Sequence, residues 1–482
     1  VAMNFYWTAL PGFNRADDPC VYDIDSICLW HEEPAAAAAG ELPARIANYV
    51  SPVPDAPPRE RPIPAVQEWF PMGFYDGICG RSTRECEWLF DHMRKLHMNA
   101  VYVSNGNPEG LERILPLAER RGIRLIYQGS GEGTMYYEHL ATAAARQRSL
   151  EQVILPHARQ WLPRFRDYWS LAAWSLTEEI GPELSGELPP YYELVRELAP
   201  NHPPTVLHNN LAAATRDLET NKPLVVTCDF YPFFWSPRSG PSNPGRSVPY
   251  YRGRVSSFYR ACREHGASLW MMPQAWGTAE SAPLDPPDYG YRTGMRTPEP
   301  GEIKLQGWVA IAEGATGILF YAAEARQPEE HQLWDRDWTE TANTRAAAEL
   351  FGRIGRVAPL LCRLERDYRE EGFVQCSNPR VLAHSFVKRK GHPGNARYIV
   401  LASLDGFGPQ SLDLSITGSG RVHDMIDRKD ITASPAHLEL AAGEGRLLFV
   451  GSRPDLDQDR AMIEERQGVL DEGGVSPSGR NH

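Results

Sequence analysis

Residues 69–103 contain three consecutive stretches that decide the fold. These are Trp69-Phe70-Pro71-Met72-Gly73-Phe74-Tyr75, then Ser82-Thr83-Arg84-Glu85-Cys86-Glu87-Trp88-Leu89-Phe90-Asp91-His92-Met93, then Ala100-Val101-Tyr102-Val103. The first and third are short aromatic or β-branched runs. The second places Trp88, Leu89, Met93 and Leu96 at helical spacing, and Ser82 with Glu85 forms a capping box ahead of them. Strand, capped helix and strand in that order make a parallel βα unit.

The same alternation recurs downstream. Further strand-like runs are Leu125–Tyr127, Leu171–Leu176, Thr205–His208, Leu224–Thr227, Ser268–Met272 and Gly317–Tyr321, which brings the set to eight. Helical segments between them stop at glycines suited to a left-handed C-cap: Leu111 to Arg121 at Gly122, Tyr250 to His265 at Gly266, and Glu302 to Glu313 at Gly314. Eight strands with capped helices between them predict a (β/α)8 TIM barrel over residues 66–360, closed by a last helix from Thr341 to about Arg356. From Leu364 the texture changes to strands separated by turns: Val381–Val387, Tyr398–Leu404, Ser411–Ile416, Arg421–Ile426, Leu438–Ala441 and Arg446–Val450. The expectation is an α/β chain with a C-terminal antiparallel β-sandwich domain over 361–451. Residues 1–65 read as an extension with short strands at Asn4–Leu10 and Val21–Trp30 and a Pro-rich linker. Residues 452–482 read as a polar tail with one helix near Ala461–Leu470.

Composition narrows the function. With 42% hydrophobic and 23% charged residues over 482 positions, the chain is globular. A net charge of −12 argues against a phosphate-backbone binder, so no nucleic-acid partner is expected. No apolar run approaches the ~20 residues of a membrane span, so a soluble protein without a membrane partner is expected. The N-terminus has no leader pattern, and both a secreted or periplasmic chain with its signal removed and a cytoplasmic one fit that observation. The eight cysteines form no CxxC pair or Cys/His cluster, so buried free thiols are expected, with no metal and no cofactor.

In a barrel, reactive groups gather where strands end. Strand four ends in Thr177-Glu178-Glu179, strand five in His208-Asn209-Asn210, strand six in Cys228-Asp229-Phe230-Tyr231, and strand seven in Met272-Pro273-Gln274-Ala275-Trp276. Glu179, Asp229 and Glu178 are the candidate catalytic residues. Like-charged acids side by side drive one pKa upward, giving a proton donor beside an ionised partner, and glycosidic bond cleavage needs that pair. Adjacent glutamates at a strand end can equally face water or cap a helix. Candidate substrate-binding residues are Asn105, Asn209 and Gln274 as amides, Tyr75, Tyr231, Trp235, Trp276 and Tyr321 as stacking rings, and Arg296 as a cation. The loop arginines Arg238, Arg246, Arg252, Arg254 and Arg292 could join Arg296 on an anionic sugar, though solvated loop charge is the simpler account. Gly129-Ser130-Gly131-Glu132-Gly133 lacks a phosphate-loop frame and reads as a rim loop.

Ala173-Trp174-Ser175-Leu176-Thr177-Glu178-Glu179-Ile180 resembles the strand-four end of the large retaining clan of (β/α)8-barrel glycoside hydrolases, typically Trp-x-x-x-Asn-Glu-Pro. Under that resemblance Glu179 takes the acid/base place, Glu178 replaces the Asn that touches the sugar 2-hydroxyl, and Ile180 replaces the Pro. Asp229-Phe230-Tyr231-Pro232, Gln274, Arg296-Thr297-Pro298-Glu299-Pro300-Gly301-Glu302, Trp308 and Gly314-Ala315-Thr316-Gly317-Ile318-Leu319-Phe320-Tyr321 look like related uncharacterised barrel proteins. The resemblance implies hydrolysis of an oligosaccharide, polysaccharide or other glycoside. It departs at one point: the clan's nucleophile is a Glu ending strand seven, where this chain has Gln274. Asp229 or Glu178 could serve instead, the substrate could supply a 2-acetamido group, or the barrel could bind glycans without cleaving them. Asp229 is the expected second carboxylate, at the wider ~6.5–9.5 Å spacing from Glu179 that admits a water. A metal-dependent hydrolase would need several strand-end histidines, and only His208 qualifies.

Overall fold

The apolar runs close on one another as a parallel barrel. The computed structural model describes residues 43–53, 62–104, 106–128, 142–233, 248–278, 295–323, 330–335, 338–369, 372–417, 420–432 and 435–471. The chain divides after Tyr49, and the described part of the first unit holds one short helix, Ala44–Ala47. The expected strands at Asn4–Leu10 and Val21–Trp30 and the Gly129–Gly133 loop lie outside the described residues.

The barrel strands are β1 (Met72–Asp76), β2 (Ala100–Val103), β3 (Arg124–Gln128), β4 (Leu171–Glu178), β5 (Pro204–His208), β6 (Val225–Phe230), β7 (Ser268–Pro273) and β8 (Ile318–Phe320), in that order around a closed sheet. β8 returns to β1 through Met72 opposite Ile318 and Phe74 opposite Phe320. Both faces of these strands are buried, one by barrel filling and one by helices, so they read as continuous apolar runs. Tyr75, Ala100, Tyr102, Ile126, Ala173, Leu207, Val225, Trp270, Met272 and Leu319 fill the interior. The capping box of Ser82 and Glu85 forms as expected, with Ser82 N–H donating to Glu85 at 2.7 Å. Gly314 takes φ +113°, the left-handed turn that ends its helix.

The C-terminal strands are β9 (Leu364–Arg366), β10 (Val374–Cys376), β11 (Val381–Lys388), β12 (Arg397–Ser403), β13 (Gln410–Ile416), β14 (Arg421–Asp424), β15 (Lys429–Ile431), β16 (Ala436–Leu440) and β17 (Gly445–Gly451). They form a six-stranded sheet, β9-β11-β12-β17-β14-β15, and a three-stranded sheet, β10-β13-β16. Ile399, Leu401, Leu412, Leu414, Leu440 and Leu448 pack between the two. The short strands β9, β10 and β15 had no sequence signal, since three residues cannot display a period. The tail helix begins at Arg453, earlier than expected, and buries Leu456 and Ile463. Its Asp459 receives Lys388 Nζ at 2.6 Å and the Tyr398 hydroxyl.

The helix Pro300–Glu313 joins barrel and sandwich. Its residues Ile303, Leu305, Trp308, Val309, Ala310 and Ile311 are all buried, the mark of a helix covered on every side. Its first turn meets a sandwich turn so closely that a Cβ on Gly301 would lie 1.9 Å from the Gly406 carbonyl oxygen. Its last residue, Glu313, accepts from Arg252 Nε at 2.7 Å, His384 Nε2 at 3.3 Å and the Arg366 guanidinium. Burial pushes the Glu313 carboxyl up, but hydrogen bonding from His384 and the charges of Arg366 and Arg252 outweigh it and hold the pKa down to about 2.

Candidate active site

Two backbone irregularities at the end of β4 build the site. Opposite β5, Ser175 pairs with Thr205 but Glu178 pairs with Leu207, so β4 carries one extra residue between them. Glu179 then takes φ +55°, in the left-handed region that side chains avoid, while its N–H donates to Leu207 O at 2.7 Å. In a regular strand, neighbouring side chains point to opposite faces. The bulge and the turn instead send Glu178 toward β1 and Glu179 toward β6.

Glu178 accepts the Tyr75 hydroxyl at 3.1 Å. Burial first, then the Glu178 charge, push the Tyr75 pKa well above 10, so the ring stays a donor. Tyr75 belongs to a belt of tyrosines, stacked on Tyr102 at 5.4 Å and packed on Tyr321 at 5.1 Å, with Tyr321 against Tyr231 at 5.4 Å. The Tyr102 hydroxyl bonds Ser175 Oγ.

Glu179 is exposed and faces Asp229, which is buried. The two carboxyls lie within hydrogen-bonding reach of each other, and the Tyr231 hydroxyl reaches Asp229 as well. Burial raises the Asp229 pKa well above the carboxylate range, the Glu179 charge and hydrogen bond raise it further, and Tyr231 only partly offsets them. The left-handed turn brings Glu179 beside Asp229.

Gln274 also differs from expectation. It is fully buried, its Nε2 donates to the carbonyls of Phe233 (3.2 Å), Trp276 (2.9 Å) and Arg296 (2.9 Å), and its Oε1 accepts from Phe233 N–H at 2.8 Å. Its amide ties the segments after β6 and β7 together and is not offered to a ligand. Arg296, expected on substrate, makes a two-pronged pair with Glu302, both contacts 2.6 Å. Arg252 and Arg254 sit on the helix Val248–Glu264 rather than in a loop, the first on Glu313 and the second on the Asn209 carbonyl and the Phe230 ring. Trp276 is buried. Asn209 is exposed at the end of β5, beside Asn210, which caps the next helix through Ala212 N–H at 2.9 Å. Asn105, Trp235, Arg238, Arg246 and Arg292 lie outside the described residues.

His208 points away from the mouth, with Nε2 on Asp217 at 3.1 Å in a buried network with Tyr192. Among the described residues no group of three or more His, Cys, Asp or Glu could hold a metal, and no helix is long and apolar enough to cross a membrane. The described cysteines are free thiols, all buried except the half-buried Cys376.

Sequence reasoning missed Tyr102, Ser175 and Gln128. Their inward positions could have been counted from the alternation of β2, β3 and β4.

No family model matches the chain, and no curated protein matches it in sequence. Among solved structures it is similar to a protein described as a glycoside hydrolase, at 11% identity over 80% of this chain and 93% of that one, TM-score 0.54. It is also similar to a GH42 β-galactosidase from G. stearothermophilus, at 10% identity over 80% and 98%, TM-score 0.52. A β-galactosidase from the psychrophilic Marinomonas ef1 matches at 14% identity over 61% of this chain, TM-score 0.45, and only 62% of that protein's length is spanned. At these identities the likeness is one of fold. The chain has the fold of the (β/α)8-barrel glycoside hydrolases, with a C-terminal β-sandwich, and what it does rests on its own side chains.

Proposed function

We propose that the chain hydrolyses glycosidic bonds, using Glu179 and Asp229 as one proton-sharing pair and Glu178 as the carboxylate that stabilises positive charge at the anomeric carbon. The carrying observation is the contact between exposed Glu179 and buried Asp229, whose pKa is pushed upward at the C-terminal mouth of the barrel. A lone surface glutamate would have lost its proton near neutral pH. Asp229 keeps one in reserve, and Glu179 can pass it to the glycosidic oxygen. The bond from that oxygen to the anomeric carbon breaks, the aglycone leaves as an alcohol, and water adds to the anomeric carbon while its proton returns to the pair. Glu178, held by Tyr75 on β1, faces the developing cation. This assignment moves the second-carboxylate role from Asp229 to Glu178, because Asp229 is committed to Glu179. The tyrosine belt offers ring faces to sugar C–H groups.

One observation favours a second reading, a glycan-binding barrel without turnover: the clan's nucleophile position holds Gln274, bound up in backbone contacts. A glycoside panel separates the readings. Glu179→Gln should lower turnover of substrates with poor leaving groups by ~10²-fold or more at unchanged melting temperature. Wild-type rates in that variant would refute the assignment, and absence of turnover by the wild type would favour the binding barrel. NMR of the first-formed anomer then reports the stereochemistry.

A further inference from the structure

Just below the carboxylates, the barrel holds polar groups that the reaction above does not use. Gln128 ends β3. Ile126, two residues earlier, packs in the barrel interior with Tyr75 and Tyr102, so alternation turns Gln128 to the axis too. Its register partner on β4 is Ser175, whose hydroxyl bonds the inward Tyr102. Gln128 is 1% exposed, yet neither its Oε1 nor its Nε2 has a hydrogen-bond partner in the protein. On β6, Thr227 Oγ1 and Asp229 Oδ1 are also buried without protein partners, and alternation puts both residues on the inward face. The buried amide of Gln306, by contrast, is fully used, exchanging bonds with the Gln274 backbone at 2.8 and 2.9 Å.

A buried amide unpaired at both ends is destabilising, and it calls for a partner that completes the bonding. An amide offers a donor and an acceptor side by side, which matches two neighbouring hydroxyls, one giving and one receiving a proton. Anionic groups would fit poorly, because Glu178, Glu179 and Asp229 already make the mouth acidic.

We propose that Gln128 is a specificity-determining residue that binds two adjacent hydroxyls of a neutral sugar from the floor of the site, with Thr227 and Asp229 Oδ1 completing the set. The proposal rests on the glycosidase reading for where the sugar lies, but it is tested separately from turnover. The full chain and Gln128→Met are compared by melting temperature without ligand, and by calorimetry with glucose, galactose, mannose and their singly deoxygenated analogues. Gln128→Met should melt higher, since the unpaired amide is gone. It should bind the preferred sugar 10- to 100-fold more weakly than wild type. One deoxy analogue should be discriminated by wild type and accepted equally by the variant. A lower melting temperature, unchanged affinity, or no binding of any of these sugars by wild type would overturn the proposal. If binding behaves as expected while the wild type cleaves no glycoside, the hydrolase reading fails and the role of Gln128 stands.

Discussion

Replacing Glu313 by Gln keeps the shape of the barrel–sandwich junction and removes its charge. The carboxylate is almost fully buried and serves Arg252, Arg366 and His384 together. Lowering its pKa from 4.5 to about 2 corresponds to about 3 kcal/mol of folding stability, at roughly 1.4 kcal/mol per tenfold change in proton affinity. Buried pairs that lose one partner cost a similar ~3–5 kcal/mol. With roughly 2.1 cal/mol/K of unfolding entropy per residue over the unit from Val50 to His482, Glu313→Gln should melt about 3–4 °C below wild type at pH 7. The sign of the pH dependence follows from the lowered pKa: the contribution is complete above about 4.5 and is lost as pH falls toward 2. The gap between the two proteins should therefore persist from pH 7 to 5 and shrink in more acid buffer. Scanning calorimetry of both proteins across that range is the assay. Equal melting at pH 7, or a gap that widens on acidification, would refute the argument that an ionised Glu313 clamps the two domains.

Asp229→Asn should raise the melting temperature at neutral pH, because ionising a group whose folded pKa is raised becomes a progressive loss of stability as pH climbs above 3.8. The same variant should lower turnover and bring the alkaline limb of the rate profile down toward ordinary carboxylate values, as read from kcat against pH. Gln274→Glu should give no new nucleophile and should cost roughly 3 kcal/mol or more, since it sets a buried anion against the carbonyls of Phe233, Trp276 and Arg296; a gain in activity would show that this side chain does face substrate. Tyr75→Phe, which removes the hydroxyl donated to Glu178, should lower kcat about 10- to 100-fold with less effect on KM, checked by steady-state kinetics.

Much of the barrel could be read from the sequence because its strands are buried on both faces and its helices carry their own stops. No end of β1 to β8 falls more than three residues from expectation, and Thr341 caps the closing helix through Asn343 and Thr344. The candidate carboxylates were legible as strand ends. Their relation was not, because a one-residue slip in β4 leaves no trace in hydrophobic period, and it is this slip that decides where Glu178 and Glu179 point. The bonding of Gln274 is hidden from the sequence for a related reason: its four partners are backbone atoms brought in by loops, and backbone atoms have no sequence signature. Arg296 had a local signal, since Glu302 stands in the first turn of the helix opened by Pro300 and receives the Glu299 N–H at 2.9 Å, a position suited to anchor a nearby cation.

The helix Pro300–Glu313 also bears on how the chain can be divided. In a (β/α)8 barrel the helices form the outer ring. Here one barrel helix has apolar side chains all round, and glycine 301 is in backbone contact with the glycines at 406 and 443. Expressing the barrel alone would leave an apolar ridge of Trp308 and its neighbours without cover, a surface that drives self-association. The sandwich is thus part of the barrel's folding unit, and a fragment that keeps the barrel covered has to extend through Gly451.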